Sequence, residues 1–404
     1  MAPGSDQSPR SPLRVPVLLP YPFAGPFDYA VPDGMDPRPG DVVLVPLNRR
    51  EEVGVVWDGQ PEGTVPDRKI KPLLNIVDTP PMAEPLRRLI DWMAAYTLSP
   101  PGEVMAMALR VVHQPPGPST GWRRADPMPN ARPTDARRKV LAVLAHREPL
   151  ATADLARAAG VGPSVVRGMA DHGLLLPAAM PAIAPFGRPR LSTADVRLSP
   201  EQDAVSAALR VKVAAKAFSV TLLDGVTGSG KTEVYLEAIA ECVRQNRQAL
   251  VLLPEIALSS QWLSRFERRF GVEPAVWHSG LSSRIRRIAW RAVSEGRAPV
   301  VVGARSALFL PFPDLGLIVV DEEHETSFKQ EEGVVYNARD MAVVRARFCA
   351  APAVLVSATP SMETVANVEA GRYTKLHLPS RHAGAALPTI EAIDMRREGP
   401  PRGR

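Results

Sequence analysis

The segment GVTGSGKT, residues 225–232, fits the pattern G-x-x-x-x-G-K-[ST]. It follows an apolar run at 220–224 and leads into EVYLEAIAECVRQ, so it reads as strand, glycine loop and helix. Gly225, Gly228 and Gly230, with Ser229 among them, let successive backbone N–H groups curl around phosphates. Lys231 would then reach the β- and γ-phosphates, and Thr232 would offer its hydroxyl to Mg²⁺. The other half of such a site is an acidic residue at the end of a later strand, with a neighbour to orient the attacking water. LGLIVVDEEH, residues 315–324, supplies both: Asp321 for the metal shell and Glu322 to polarise the water. The chemistry implied is Mg²⁺-dependent hydrolysis of a nucleoside triphosphate, with Lys231, Asp321 and Glu322 as its catalytic residues.

The rest of the chain must position these groups. With 404 residues, 45% hydrophobic and 23% charged, it is long enough for two or three packed domains and too apolar to be disordered. A net charge of +6 and a pI near 9.5 favour an anionic partner, nucleic acid before acidic membrane. Two cysteines, Cys242 and Cys349, cannot build a disulfide framework or a zinc site. No apolar run reaches the roughly 18 residues of a membrane span, and the first thirty residues are too proline-rich for a signal peptide. The reducing cytoplasm is the default compartment.

Of the 43 prolines, 32 lie at or before residue 200, so the two halves must differ in architecture. Proline interrupts long helices and central strands. After a frayed tail at 1–13, short β-branched runs broken by PFAGPFDY and PDGMDPRPG predict a small β-rich domain over 14–112, with helical periodicity at 83–97. Residues 113–136 read as a linker. Helical text from 137 to 180, with AAGVG as a turn, predicts a helix-turn-helix or winged-helix unit of three short helices. A second linker covers 181–197. Beyond it VTLLDG, ALVLLPE, AVWHSG, VVVGARS, LGLIVVDEEH and AVLVSATP alternate with helical pattern or loop, which predicts a parallel α/β lobe over 198–380. Residues 381–404 are left as a tail or the start of a further lobe.

LSPEQ (198–202), DEEH (321–324) and SATP (357–360) resemble the motifs of superfamily 2 helicases. That resemblance implies that the lobe is RecA-like, that Gln202 reads adenine, and that His324, Ser357 and Thr359 couple the state of ATP to movement along DNA. Three longer stretches narrow it: LLDGVTGSGKTEVYLEAI, LLPEIALSSQ, and GARSALFLPFPDLGLIVVDEEHETSFKQEEGVVYNARDMAVVRA. With PFDYAVPDG, GDVVLVPLNRREEVGVVWD and SPPGEVMAMAL in the first domain, they resemble the PriA family of primosomal replication-restart helicases.

The resemblance implies a 3′-end DNA-binding domain, a winged helix, and unwinding from 3′ to 5′ with ATP and Mg²⁺ at stalled or abandoned forks. The implied partners are forked and single-stranded DNA, primosome and helicase-loader proteins, and single-stranded DNA-binding protein, in the bacterial cytoplasm at the nucleoid. Phe27, Asp28 and Tyr29 would meet a 3′ DNA end. Glu255 and Arg305 would line the DNA path, as would Phe328, Lys329, Tyr336 and Arg339 of an aromatic-rich loop. Arginines of SSRIRRIAWRA, 282–292, would add phosphate contacts or form a solvated face. This chain has Val334 and Val335 where that loop often carries an aromatic and a basic residue, so a stacking surface worth about 1–3 kcal/mol is expected to be lost.

The family continues beyond the equivalent of Arg404 into a second helicase lobe, which holds an arginine finger and surrounds a zinc-binding cysteine cluster. An arginine finger contributes about 10³–10⁵ in rate. The expectation is therefore nucleotide and DNA binding with turnover largely abolished. A non-catalytic fork-binding scaffold with a vestigial or switch-like nucleotide site is the competing reading. Another superfamily 2 ATPase is disfavoured by the FDY text.

Overall fold

The computed structural model describes residues 13–109, 120–126, 134–145, 149–179, 186–192, 197–254 and 260–381, so Glu255 lies outside the described residues. The first domain is an antiparallel sheet of β1 (Arg14–Leu18), β2 (Phe27–Ala30), β3 (Val42–Leu47), β4 (Arg50–Val56) and β5 (Asn75–Ile76), in the order β2-β1-β4-β3-β5. Helices α1 (Glu84–Thr97) and α2 (Pro101–Leu109) follow. Strand alternation sends Val43 and Val45 into a cluster with Val17, Tyr29 and Leu73. Val42, Val53 and Val55 face the other way, onto Leu86, Leu89 and Ile90 of α1.

Gly102 opens α2 directly against the end of β1, where a Cβ would be driven into the carbonyl oxygens of Leu19 and Tyr21. Those atoms are backbone and cannot swing aside. Gly102→Ala is expected to cost about 1–3 kcal/mol by overpacking, read as a lower first unfolding midpoint in urea. A wild-type midpoint would show that the helix shifts freely.

The second module holds β6 (Thr120–Arg124), α3 (Asp135–Leu144), α4 (Thr152–Ala159), α5 (Pro163–Asp171) and β7 (Leu175–Ala179). Thr134 caps α3 by accepting from the Arg137 N–H, and Gly160 ends α4 in the left-handed region at φ 63°. Val140, Leu155, Val166, Met169 and Leu175 form its own core. Two expectations are corrected here. Residues 120–124 are not linker but a strand, and LLPAA is not helical but its antiparallel partner, Thr120 opposite Ala179 through Arg124 opposite Leu175. The Trp122 indole N–H donates to the Thr152 hydroxyl at 2.8 Å, which anchors the ribbon to α4. A strand pair about fifty residues apart in sequence, flanked by proline and glycine, carries no local apolar period.

The third domain runs α6 (Pro200–Ala214), β8 (Ser219–Gly225), α7 (Lys231–Arg244), β9 (Gln248–Leu252), α8 (Ser260–Phe270), β10 (Ala275–Trp277), α9 (Ser283–Ser294), β11 (Val300–Gly303) and β12 (Leu315–Asp321). A short ribbon of β13 (Lys329–Gln330) and β14 (Tyr336–Asn337) precedes α10 (Ala338–Phe348), β15 (Pro352–Ser357), α11 (Met362–Glu369) and β16 (Thr374–Leu378). Seven strands make one parallel sheet in the order β10-β11-β9-β12-β15-β8-β16, a RecA-like lobe. Its strands are continuous apolar runs because helices cover both faces. Strand β16 escaped the sequence reading because it is an edge strand in which only Leu376 and Leu378 pack against the core. Residues 186–192, read as linker, lie against this lobe: the Arg190 N–H donates to the Phe270 carbonyl at 2.8 Å.

The helices of the first domain also join this lobe. Trp290 of α9 donates its indole N–H to the Ala108 carbonyl at 2.9 Å, and the Arg88 guanidinium lies 4.7 Å from the Phe348 ring centroid. Among the described residues no helix is long and apolar enough to cross a membrane.

Candidate functional site

In a parallel α/β sheet ligands bind beyond the carboxyl ends of the strands, and the sequence motifs meet there. Asp321 pairs in register with Val356, and Ser357 with Asp224, so the ends of β12, β15 and β8 form one row. The loop after β8 turns through Gly228 at φ 82° and Gly230 at φ 85°, conformations that favour glycine. A Cβ on Gly230 would strike the Gln202 amide, and one on Gly225 would strike Ser229 and Leu378. The Ser229 hydroxyl is buried with no hydrogen-bond partner among the described residues. The Lys231 ammonium is folded back over the loop, donating to the carbonyls of Gly225 (2.6 Å) and Val226 (3.2 Å). Burial pushes its pKa down, while the charges of Glu322, Asp321 and Asp224 pull it up.

The Asp321 carboxylate accepts from the Tyr235 hydroxyl at 2.8 Å and from the Glu322 backbone N–H at 3.0 Å. Burial raises its pKa to about 6, with Glu322 adding to the rise and Tyr235 opposing it. Glu322 itself sits at φ 50°, a strained position for a non-glycine residue, and its side chain is half-exposed beyond the strand end. Among the described residues no group of three or more His, Cys, Asp or Glu side chains is placed to hold a metal by itself. A hard hydroxyl and one carboxylate beside a phosphate loop nevertheless suit Mg²⁺, which binds through one or two carboxylates plus substrate phosphates. Thr232 and Asp321 would hold it, and it would neutralise charge on the phosphate oxygens.

Gln202 lies against the phosphate loop. Its amide oxygen accepts from the Ser199 N–H at 2.9 Å, closing a capping box on α6, and its amide nitrogen donates to the Ser229 carbonyl at 2.9 Å. The side chain is buried and clamps α6 to the loop, and these bonds use one of the two N–H donors and one of the two oxygen lone pairs of the amide. Gln202 also lines a cavity of about 590 Å³, together with Leu198, Gly228, Glu233, Arg265 and Arg268 among others. Its size suits a nucleoside.

The residues expected to couple nucleotide state to movement come together. His324 Nδ1 lies 2.9 Å from the Ser357 hydroxyl, which accepts from the Thr359 N–H at 3.0 Å. The sequence reading missed Glu323. Its buried carboxylate accepts from the Ser361 N–H (2.7 Å), the Ser361 and Thr364 hydroxyls (3.0 Å each) and the Arg339 guanidinium (3.3 Å). Arg339 also bonds Asp340 and the Ser361 hydroxyl. It is buried, and its guanidinium joins the DEEH strand end to the turn after SATP instead of facing DNA. An acidic residue inside DEEH and an arginine opening a helix are visible in sequence; that they pair is not.

The other candidates divide. Phe27 is half-exposed, edge-on to Phe23 with centroids 4.9 Å apart. The Asp28 carboxylate is buried under the 62–63 turn, accepting from the N–H groups of Glu62 (3.2 Å) and Gly63 (2.9 Å), an anchoring role in this geometry. Tyr29 is in the core, its hydroxyl donating to the Pro46 carbonyl. Arg305 donates to the carbonyls of Ser327 and Lys329, holding the base of the 329–337 ribbon. Phe328 and Tyr336 are core residues, Tyr336 edge-on to Phe309, so the expectation that they face DNA is corrected: the apolar lobe interior takes both rings. Val334 also points inward. Lys329 and Val335 are exposed, with Lys329 paired to Glu331 at 3.1 Å.

Residues 16–110 match the 3′ DNA-binding domain (3′BD) of PriA, and residues 201–368 match the DEAD/DEAH box helicase domain. The replication restart protein PriA of Rickettsia conorii is 34% identical over 385 residues, covering 95% of this chain and 48% of that protein. The Haemophilus influenzae protein of the same name is 33% identical over 399 residues, 96% of this chain and 54% of its own. The Bacillus subtilis protein is 44% identical over 206 residues, 51% of this chain and 26% of its own. The chain spans about half the length of the curated relatives it matches. With a match to the PriA 3′ DNA-binding domain ahead of a match to the DEAD/DEAH helicase domain, and similarity to PriA proteins along nearly all its residues, the chain resembles the PriA family of replication restart proteins.

Proposed function

We propose that these 404 residues form the fork-binding and ATP-binding part of an ATP-dependent 3′–5′ DNA helicase of replication restart. The observation that carries the reading is the row of Gly225, Asp321 and Ser357 at adjoining strand ends, with Lys231 and Glu322 beside it and the His324–Ser357 link behind. An intact phosphate loop, metal carboxylate and coupling hydrogen bond are costly to keep in a scaffold that does not use nucleotide. The family supports the substrate: forked DNA with a free 3′ end, met by the first domain, and single strand drawn along the lobe. Primosome and helicase-loader proteins, with single-stranded DNA-binding protein, are the partners this reading assigns, and the bacterial cytoplasm at the nucleoid is its place of work.

The described residues build the nucleotide site from one lobe, and an arginine supplied in trans to such a lobe adds about 10³–10⁵ in rate. We therefore assign Mg²⁺·ATP binding to this lobe, with an arginine from outside it expected to raise the rate of hydrolysis. Steady-state ATP hydrolysis with and without forked DNA, alongside fork binding with a free or a phosphate-blocked 3′ end, tests the reading. The expected result is measurable turnover stimulated by forks, and weaker binding when the end is blocked. Equal affinity for both ends would remove the end-recognition role. No ATP binding at all would leave a fork-binding scaffold.

A further inference from the structure

We propose that Tyr235 is a positioning residue for the metal half of the nucleotide site, holding the Asp321 carboxylate in one arrangement and tying it to α8 through Trp262. The inference rests on the nucleotide-site reading above. Tyr235 follows Thr232 by three residues on α7, a spacing that stacks the two side chains on one helix face. Its ring is fully buried in the apolar cluster of this lobe, which also holds Trp262 and Phe266. A phenol there is favourable only if its hydroxyl is bonded.

The hydroxyl is bonded on both sides. It donates to Asp321 Oδ2 at 2.8 Å and accepts from the Trp262 indole N–H at 2.7 Å. A phenol has one proton and two lone pairs, and an indole N–H can only donate, so the proton is directed to Asp321. One oxygen therefore stops rotation of the carboxylate on β12 that would meet Mg²⁺. Because the other partner stands on α8, a shift of that helix reaches the metal site through a single atom.

The test uses the whole chain and a fluorescent, non-hydrolysable ATP analogue, titrated in EDTA and at a series of Mg²⁺ concentrations. Tyr235→Phe keeps the ring and removes the hydroxyl. The expected result is analogue affinity in EDTA within about twofold of wild type, and a Mg²⁺ requirement for the tight state raised roughly tenfold, the scale of one lost hydrogen bond to an ionised group. Trp262→Phe, which leaves the Tyr235 hydroxyl in place but unanchored, is expected to raise the requirement by less, and it carries the test if Tyr235→Phe does not fold. An unchanged Mg²⁺ requirement in both variants overturns the proposal. So does equal weakening with and without Mg²⁺, which marks a purely structural hydroxyl. A wild-type chain that binds the analogue with no response to Mg²⁺ would instead sink the metal-site reading, and this inference with it.

Discussion

Lys231→Ala is expected to lower ATP turnover by about 10²–10³-fold relative to the wild-type chain, the usual scale for removing one donor aimed at charge that develops in the transition state. In the described structure the ammonium caps the Gly225 and Val226 carbonyls at the mouth of the loop, so it is already at the place where phosphate oxygens must enter. Burial lowers its pKa, and three neighbouring carboxylates partly offset that cost. A triphosphate replaces two neutral carbonyls with charged acceptors, and charge-assisted hydrogen bonds are roughly twice as strong as neutral ones. The alanine variant loses that gain and leaves the loop carbonyls to water. Fold stability is expected to stay near wild type, since the side chain is partly exposed and no core contact is removed. Hydrolysis rate with forked DNA, paired with a thermal melt, checks both halves. Wild-type turnover in the variant would mean that the phosphate loop is not the hydrolytic site.

Glu323→Ala carries the largest expected effect on stability. Glu323 is 1% exposed and bonded to four donors, among them the Arg339 guanidinium, itself 7% exposed. Deleting the carboxylate leaves Arg339 with Asp340 and a longer contact to Glu363, both at the surface, and breaking a buried pair in this way costs about 3–5 kcal/mol. At about 2–4 °C per kcal/mol for a domain of this size, the lobe should melt on the order of 10 °C lower. Glu323→Gln, which keeps an acceptor for the Ser361 N–H, should lose less. Pairing Glu323→Ala with Arg339→Met should recover part of the loss, because no uncompensated charge then remains. Equal melting of Glu323→Ala and wild type would exclude the ion pair as a structural joint. The consequence for function lies in what the joint connects: the DEEH strand end, the start of α10 after the 329–337 ribbon, and the N-terminus of α11 after SATP.

The phosphate loop and the DEEH strand end were legible in sequence because their chemistry is contiguous. Gly225, Gly228, Gly230, Lys231 and Thr232 act through a backbone path set by neighbours in the chain, and Asp321 is positioned by the apolar run before it. The lobe was legible for the same reason: each buried parallel strand is a short apolar segment. The first domain yielded its β character, and the α3–α5 module its turn at Gly160, since glycine punctuation is local.

What tertiary structure decided is the direction and partnership of side chains. FDY and the ring of Tyr336 read as a DNA-facing surface, yet Tyr29, Phe328 and Tyr336 fill cores, because an aromatic side chain takes whichever apolar volume its strand or turn presents. Gln202 clamps the phosphate loop, Asp28 anchors a turn, and Arg339 meets Glu323, because a buried polar group takes the partner that satisfies it, wherever that partner lies in sequence. The strands β6 and β7 pair with each other across about fifty residues, and β6 also bridges Leu150 through Trp122. The amino-acid sequence by itself thus determined where the glycine loop and the acidic strand end of the candidate nucleotide site lie, since these depend on local backbone geometry. Which residues hold that site together, Tyr235 and Glu323 foremost, depended on contacts between segments tens of residues apart, and only folding brings those together.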